Sequence, residues 1–147
     1  MKSISLREVM NRPVAAIGIH EAFSAVEEKL RTKKIRHLPV LDEEHRVVGL
    51  ISQRDLFRIV SPRRTEDGEE VYDPAALDRI LLAKVMTHPV VTLRAEDSLA
   101  AAVKLMSRDK LGCIPIVDAE RRLLGIITKT DILKFLDRAF HPSETRL

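Results

Sequence analysis

Two stretches of this chain set a hydroxyl and a carboxylate three residues apart, where an apolar run gives way to a polar one. They are Ser52 and Asp55 in GLISQRDL, from Gly49, and Thr128 and Asp131 in GIITKTDI, from Gly125. Each reads as a strand whose last residue opens a helix. In its plainest form the arrangement is a capping box, in which the hydroxyl takes an N–H of the first turn and the acid reaches back to the N–H of the cap. Glu or Gln is the usual partner in that box, so Asp leaves room for a second reading, a short acceptor held at a helix mouth for a ligand. Two copies imply two sites, or one site and its relic.

Other chemistry finds little support. The five histidines (His20, His37, His45, His88, His141) are scattered without ligand spacing, so no metal centre is expected. Cys113 is the sole cysteine, which excludes an internal disulfide and fits a reducing compartment. Between Gly112 and Ile114 it reads as a small buried hydrophobe, and Met10, Met86 and Met106 read as core fillers. No nucleophile with a base and an orienting group can be assembled, so catalysis is not expected. The 25 basic and 22 acidic residues leave a net charge of +3, interspersed, which supports a local anion site better than nucleic acid. Five aromatic residues, Tyr72 and four Phe, offer few platforms for stacked bases. No apolar run approaches the roughly 20 residues of a membrane span, and the start MKSISLREVM lacks a signal-peptide stretch, so a cytoplasmic location is expected.

The elements that must position these groups come as a repeat. A shift of 76 positions aligns Met10 with Met86, Pro13 with Pro89, Pro39 with Pro115, Gly49 with Gly125 and Asp55 with Asp131. Residues 10–56 and 86–132 share 12 identities in 47 positions without a gap. Two copies at so long a period point to paired units rather than a solenoid. The fold class expected is α/β (α+β): two β-α-β-β-α units, each with a sheet too small to bury a face alone, packed sheet to sheet about a pseudo-twofold.

In the first unit, residues 13–19 form a strand. Phe23, Val26 and Leu30 line one face of a helix. IRHLPVLD and RVVGLIS form a hairpin with Pro39 at an edge or bulge, and a helix opens at Ser52. The second unit repeats this with strands at 89–94, 111–117 and 122–128. Its helices cover 97–109, with Leu99, Val103 and Met106 inward, and Thr128 to about Ala139. Residues 1–60 are the first repeat with an N-terminal arm and 85–140 the second. Residues 61–84 form a linker, an exposed charged loop at 61–72 and then a helix capped by Asp73, with Leu77, Ile80 and Leu81 as its apolar stripe. Residues 141–147 are a frayed tail.

The ordered pattern MNRPV, IRHLPVLD, GLISQRDL, repeated as MTHPV, LGCIPIVD, GIITKTDI, resembles a tandem pair of CBS domains (cystathionine beta-synthase domains), a Bateman module, over about residues 7–140. The likeness implies a stand-alone regulatory module that binds an adenosine ligand (AMP, ADP, ATP or S-adenosylmethionine) in clefts between the repeats. On that likeness Asp131 and Asp55 become ribose ligands, Thr128 and Ser52 polar contacts at the helix start, and Arg36 and His37 phosphate contacts. The helix starts carry unpaired N–H groups suited to phosphate, which Lys129 or Arg54 would extend. Gly112 and Cys113 replace Arg36 and His37 in the second repeat, so one strong phosphate clamp is expected. The preferred cleft pairs Thr128, Lys129 and Asp131 with Arg36 and His37. The weaker one pairs Ser52, Arg54 and Asp55 with Lys110, Gly112 and Cys113. Adenine would lie against the Val14 to Ile17 and Val90 to Leu93 strands. The likeness also implies a homodimer through the helices. The alternative is a structural module with degenerate clefts that binds a protein partner, in which Arg36 and His37 are simply a solvated strand edge.

Overall fold

The computed structural model describes residues 3–144. The chain forms two compact units. One spans Ala15–Val90; the other joins the chain up to Val14 with that from Val91 onward. The arm before the first repeat therefore belongs with the second repeat, and the linker helices belong with the first.

In the Ala15–Val90 unit the order is β1 (Ile17–Gly18), α1 (Phe23–Lys33), β2 (His37–Leu41), β3 (Val47–Ser52) and α2 (Gln53–Ile59). The linker adds β4 (Arg63–Arg64), β5 (Glu70–Val71), α3 (Pro74–Leu77) and α4 (Leu82–Val85). The other unit repeats the plan with β6 (Leu93–Arg94), α5 (Leu99–Asp109), β7 (Cys113–Val117), β8 (Leu123–Thr128) and α6 (Lys129–Phe140). A 3-10 turn, Leu6–Glu8, precedes the first repeat, and another, Pro142–Glu144, ends the described chain. The frayed tail expected at 141–147 is thus ordered to Glu144, and its last three residues lie outside the described range.

The sheet of each repeat has three strands, β1-β2-β3 and β6-β7-β8, the first pair parallel and the second antiparallel. The register is the same in both, His37 opposite Ser52 and Cys113 opposite Thr128, with a bulge at Val40/Leu41 and at Ile116/Val117. Asp42 and Asp118 fix the turns: each accepts N–H groups two and four residues on at 2.9 Å, and the Nε of Arg46 or Arg122.

α1 turns Phe23, Val26 and Leu30 into the first core with Ile17, Leu38 and Ile51, and Phe23 and Val26 are fully buried. Burial at this level contributes about 1.5–3 kcal/mol for each large apolar side chain. The second core gathers Leu99, Ala102 and Met106 of α5 with Ile114, Ile116 and Ile127 and with Leu6 and Met10 of the arm.

The outer edge of each third strand is closed by a segment that precedes a repeat. Leu50 of β3 exchanges backbone hydrogen bonds with Thr87 at 3.0 and 2.8 Å, and Ile126 of β8 does so with Asn11 at 3.1 and 2.8 Å. These bonds explain the prolines. Pro39 is expected at an edge or bulge, but it and its counterpart Pro115 occupy central strands opposite Leu50 and Ile126. Because Leu50 and Ile126 turn their backbone groups outward, the facing prolines owe no N–H to that pair. Their nitrogens point to the other side, where β1 and β6 begin pairing only at Val40 and Ile116.

Other expectations are corrected. The strands expected at 13–19 and 89–94 shrink to two residues each. The loop expected at 61–72 contains the β4–β5 hairpin, closed by Thr65 and Gly68. The linker helix is broken into α3 and α4, which leaves Leu81 67% exposed, and Val103 faces outward at 43%.

Candidate functional site

Ser52 and Thr128 are the N-caps of α2 and α6, with extended backbone that ends β3 and β8. In both, the carboxylate three residues on completes a reciprocal box. Asp55 Oδ2 accepts from Ser52 N at 2.8 Å and Oγ at 2.9 Å, while Asp55 N donates to Ser52 Oγ at 3.1 Å. Asp131 Oδ2 accepts from Thr128 N at 2.8 Å and Oγ1 at 2.9 Å, and Asp131 N donates to Oγ1 at 3.2 Å. The capping reading therefore holds at both positions, and any ligand must use what the box leaves over.

What it leaves over differs. Asp55 is buried, 8% exposed, and its Oδ1 accepts from Arg58, whose side chain is 70% exposed. Asp131 is half-buried, and its Oδ1 accepts from the Nδ2 of Asn11 on the arm. Arg58 and Asn11 were not singled out from the sequence. Arg58 stands at i+3 from Asp55, a legible helix spacing. Asn11 lies beside the aligned Met10, but nothing local joins it to a partner 120 positions away.

Of the phosphate candidates, His37 faces Ser52 across the hairpin, and the carbonyl of Arg36 accepts from Gln53 N at 2.8 Å at the start of α2. Arg36, His37, Ser52 and Asp55 thus come together within one unit. The His37 ring is half-buried; desolvation lowers its pKa from the ordinary value, Asp55 pulls it up and Arg36 pushes it down. Arg54 is exposed on α2.

In the other unit Cys113 takes the place of His37, and burial pushes its thiol up to about 12, which leaves it inert. Lys129 N reaches Gly112 O at 3.3 Å. Lys129 and Lys110 border an open apolar groove of about 430 Å³ between α5 and α6, floored by Met106 and Ile132 and flanked by Val103 and Leu133. Among the described residues no three His, Cys, Asp or Glu gather to hold a metal.

The sequence matches the family model "CBS domain" twice, over residues 6–62 and 82–138. A CBS domain-containing protein of Dictyostelium discoideum is 26% identical over 140 residues, 95% of each chain. Other relatives are longer: a homoserine O-acetyltransferase of Methanococcoides burtonii is 28% identical over 90% of this chain but 24% of its own length. Among solved structures, the CBS domain pair of protein MJ0100, in complex with 5′-methylthioadenosine and S-adenosyl-L-methionine, superposes with a TM-score of 0.77. It is 20% identical and covers 94% of this chain and 99% of its own. CBSX2 in complex with AMP gives 0.74 at 21% identity, over 93% and 98%.

Proposed function

The chain belongs to the CBS domain family, and we propose that it is a regulatory module whose ligand is an adenosine compound: AMP, ADP, ATP or S-adenosylmethionine. Asp131 grips the ribose, with Thr128 beside it at the start of α6 and Lys129 extending the anion site. Asp55, Ser52 and Arg54 form the lesser counterpart, and Arg36 and His37 meet phosphate. One observation carries this reading: the hydroxyl-carboxylate helix mouth occurs twice, in a chain that superposes on a domain pair in complex with two adenosine compounds. A carboxylate accepts charge-assisted hydrogen bonds from hydroxyls about twice as strong as neutral ones. At the start of the 12-residue α6 the N–H groups of Thr128, Lys129 and Asp131 are already bonded, which leaves that of Thr130 for an anion beside the carboxylate. Ligand occupancy acts on a partner only through differential affinity for two states of the module.

Thermal and chemical denaturation against a panel of AMP, ADP, ATP and S-adenosylmethionine tests the proposal. A ligand at about 100 times its Kd stabilises the fold by roughly 2.7 kcal/mol. Silence across the panel removes the reading. Asp131→Ala should abolish most of the shift and Asp55→Ala less, because Asp131 is the more accessible acid; the reverse order assigns the main site to Asp55.

A second reading, a self-associating or protein-docking module, is favoured by α6. That helix buries no residue and exposes Leu133, Leu136 and Phe140. Light scattering on the ligand-free protein tests it, a dimer supporting it and a monomer at all concentrations excluding it.

A further inference from the structure

An ionised carboxylate offers roughly four lone-pair positions. At Asp131 both positions on Oδ2 are taken by the N–H and the hydroxyl of Thr128, and one on Oδ1 by the amide of Asn11. One acceptor position remains, whereas two vicinal ribose hydroxyls need two. Asn11 also has a backbone role. Its N–H and C=O close the edge of β8 on Ile126, and Met10 beside it lies over Gly125, in the same unit as Leu6. At Asp55 the equivalent competitor is Arg58 on the same helix, an exposed side chain that leaves without moving any other segment.

Resting on the nucleotide reading above, we infer that Asn11 is the latch of an arm that a ribose diol unfastens. The second hydroxyl displaces the Asn11 amide from Asp131 Oδ1, and occupancy of this site weakens the docking of residues 5–11. The coupling is reciprocal, so a docked arm lowers affinity and a released one raises it. Asp55, with its local competitor, lacks this linkage.

The test uses the full chain, Asn11→Ala and Asn11→Thr. The Thr variant carries the residue that stands at the equivalent position, Thr87, and keeps the backbone bridge. In the ligand-free protein both variants should speed hydrogen exchange at the amides of Val9 and Met10. Unchanged exchange overturns the latch and leaves the nucleotide reading intact. Saturating AMP should speed the same amides in the wild type. Calorimetric titration should show AMP binding about ten-fold tighter to each variant, the lower bound for one hydrogen bond to a charged group. 2′-Deoxyadenosine monophosphate, which needs one acceptor position, should gain nothing. Equal or weaker AMP binding by the variants, or slower arm exchange with AMP, overturns the inference. Binding of no panel compound by wild type or variants overturns the nucleotide reading itself and the latch with it.

Discussion

Asp55 and Asp131 perform the same local task in unequal surroundings, and the inequality is measurable. Each satisfies the N–H of its own cap, a hydrogen bond whose loss costs about 1 kcal/mol in general. Asp55 is the more buried, so its removal leaves Ser52 N without a partner where water cannot replace it. The Arg58 pair adds little, because that side chain is largely exposed. Urea denaturation should therefore rank Asp55→Ala as the costlier of the two by about 1 kcal/mol; equal losses would place water at both boxes. His37 supplies a pH dependence of definite sign. Its folded pKa is depressed, chiefly by desolvation, so the unfolded chain takes up the proton first as pH falls below the ordinary value of 6.5. Stability is full above that pH and declines as the pH drops from 6.5 towards the lowered value. The denaturation midpoint should fall less between pH 7.5 and 5.5 in His37→Gln than in the wild type; an identical fall would assign the dependence elsewhere.

At the scale of elements, the two sheets are finished by chain segments remote from them in sequence, and a glycine permits the contact. A Cβ at Gly125 would lie 2.7 Å from Met10 Sδ and 3.0 Å from the backbone oxygen of Asn11. At Gly49 its three nearest neighbours are all side-chain atoms of Met86, with Sδ closest and Cγ at 2.8 Å. A methionine swings aside, but a backbone carbonyl in a strand bridge does not, so Gly125→Ala should loosen the arm while Gly49→Ala is absorbed by repacking. Overpacking of this kind costs about 1–3 kcal/mol, and the expected sign is a larger loss at 125, read as a lower denaturation midpoint with faster exchange at Met10 and Asn11. Much of this framework was legible. The spacing of Phe23, Val26 and Leu30 marked α1, the hydroxyls at 52 and 128 marked two helix starts, and the matched glycines marked the repeat. The rest was hidden for physical reasons. The runs at 13–19 and 89–94 are apolar enough for strands, yet each pairs as a strand over two residues, starting opposite Val40 or Ile116, just past a proline that offers no N–H. The β4–β5 hairpin is wholly exposed, so no apolar alternation announced it. The break between α3 and α4 follows no Pro or Gly, only the outward turn of Leu81.

At the scale of the molecule, the 76-residue repeat was enough to imply a duplicated unit, and the twofold match to the CBS domain model bears that out. The repeats are alike in plan but unequal in surface, which sequence identity alone did not separate. α6 carries Ile132 and Phe135 towards the second core and turns Leu133, Leu136 and Phe140 outward at 65%, 38% and 72% exposure. Of these, Leu133 flanks the groove between α5 and α6 with Val103 of α5, so one helix is apolar on two sides. A helix of that kind is normally covered. Self-association through this face should be driven by apolar burial, so sulfate should strengthen it and sodium chloride should not dissolve it. Leu133→Asp combined with Leu136→Asp should convert a dimer to a monomer in light scattering. The monomer's denaturation midpoint should be nearly independent of protein concentration, since neither side chain belongs to the core. The wild-type midpoint should rise with concentration, as mass action requires of a dimer. A wild-type midpoint that ignores concentration, or a double variant that remains dimeric, would remove α6 from the interface.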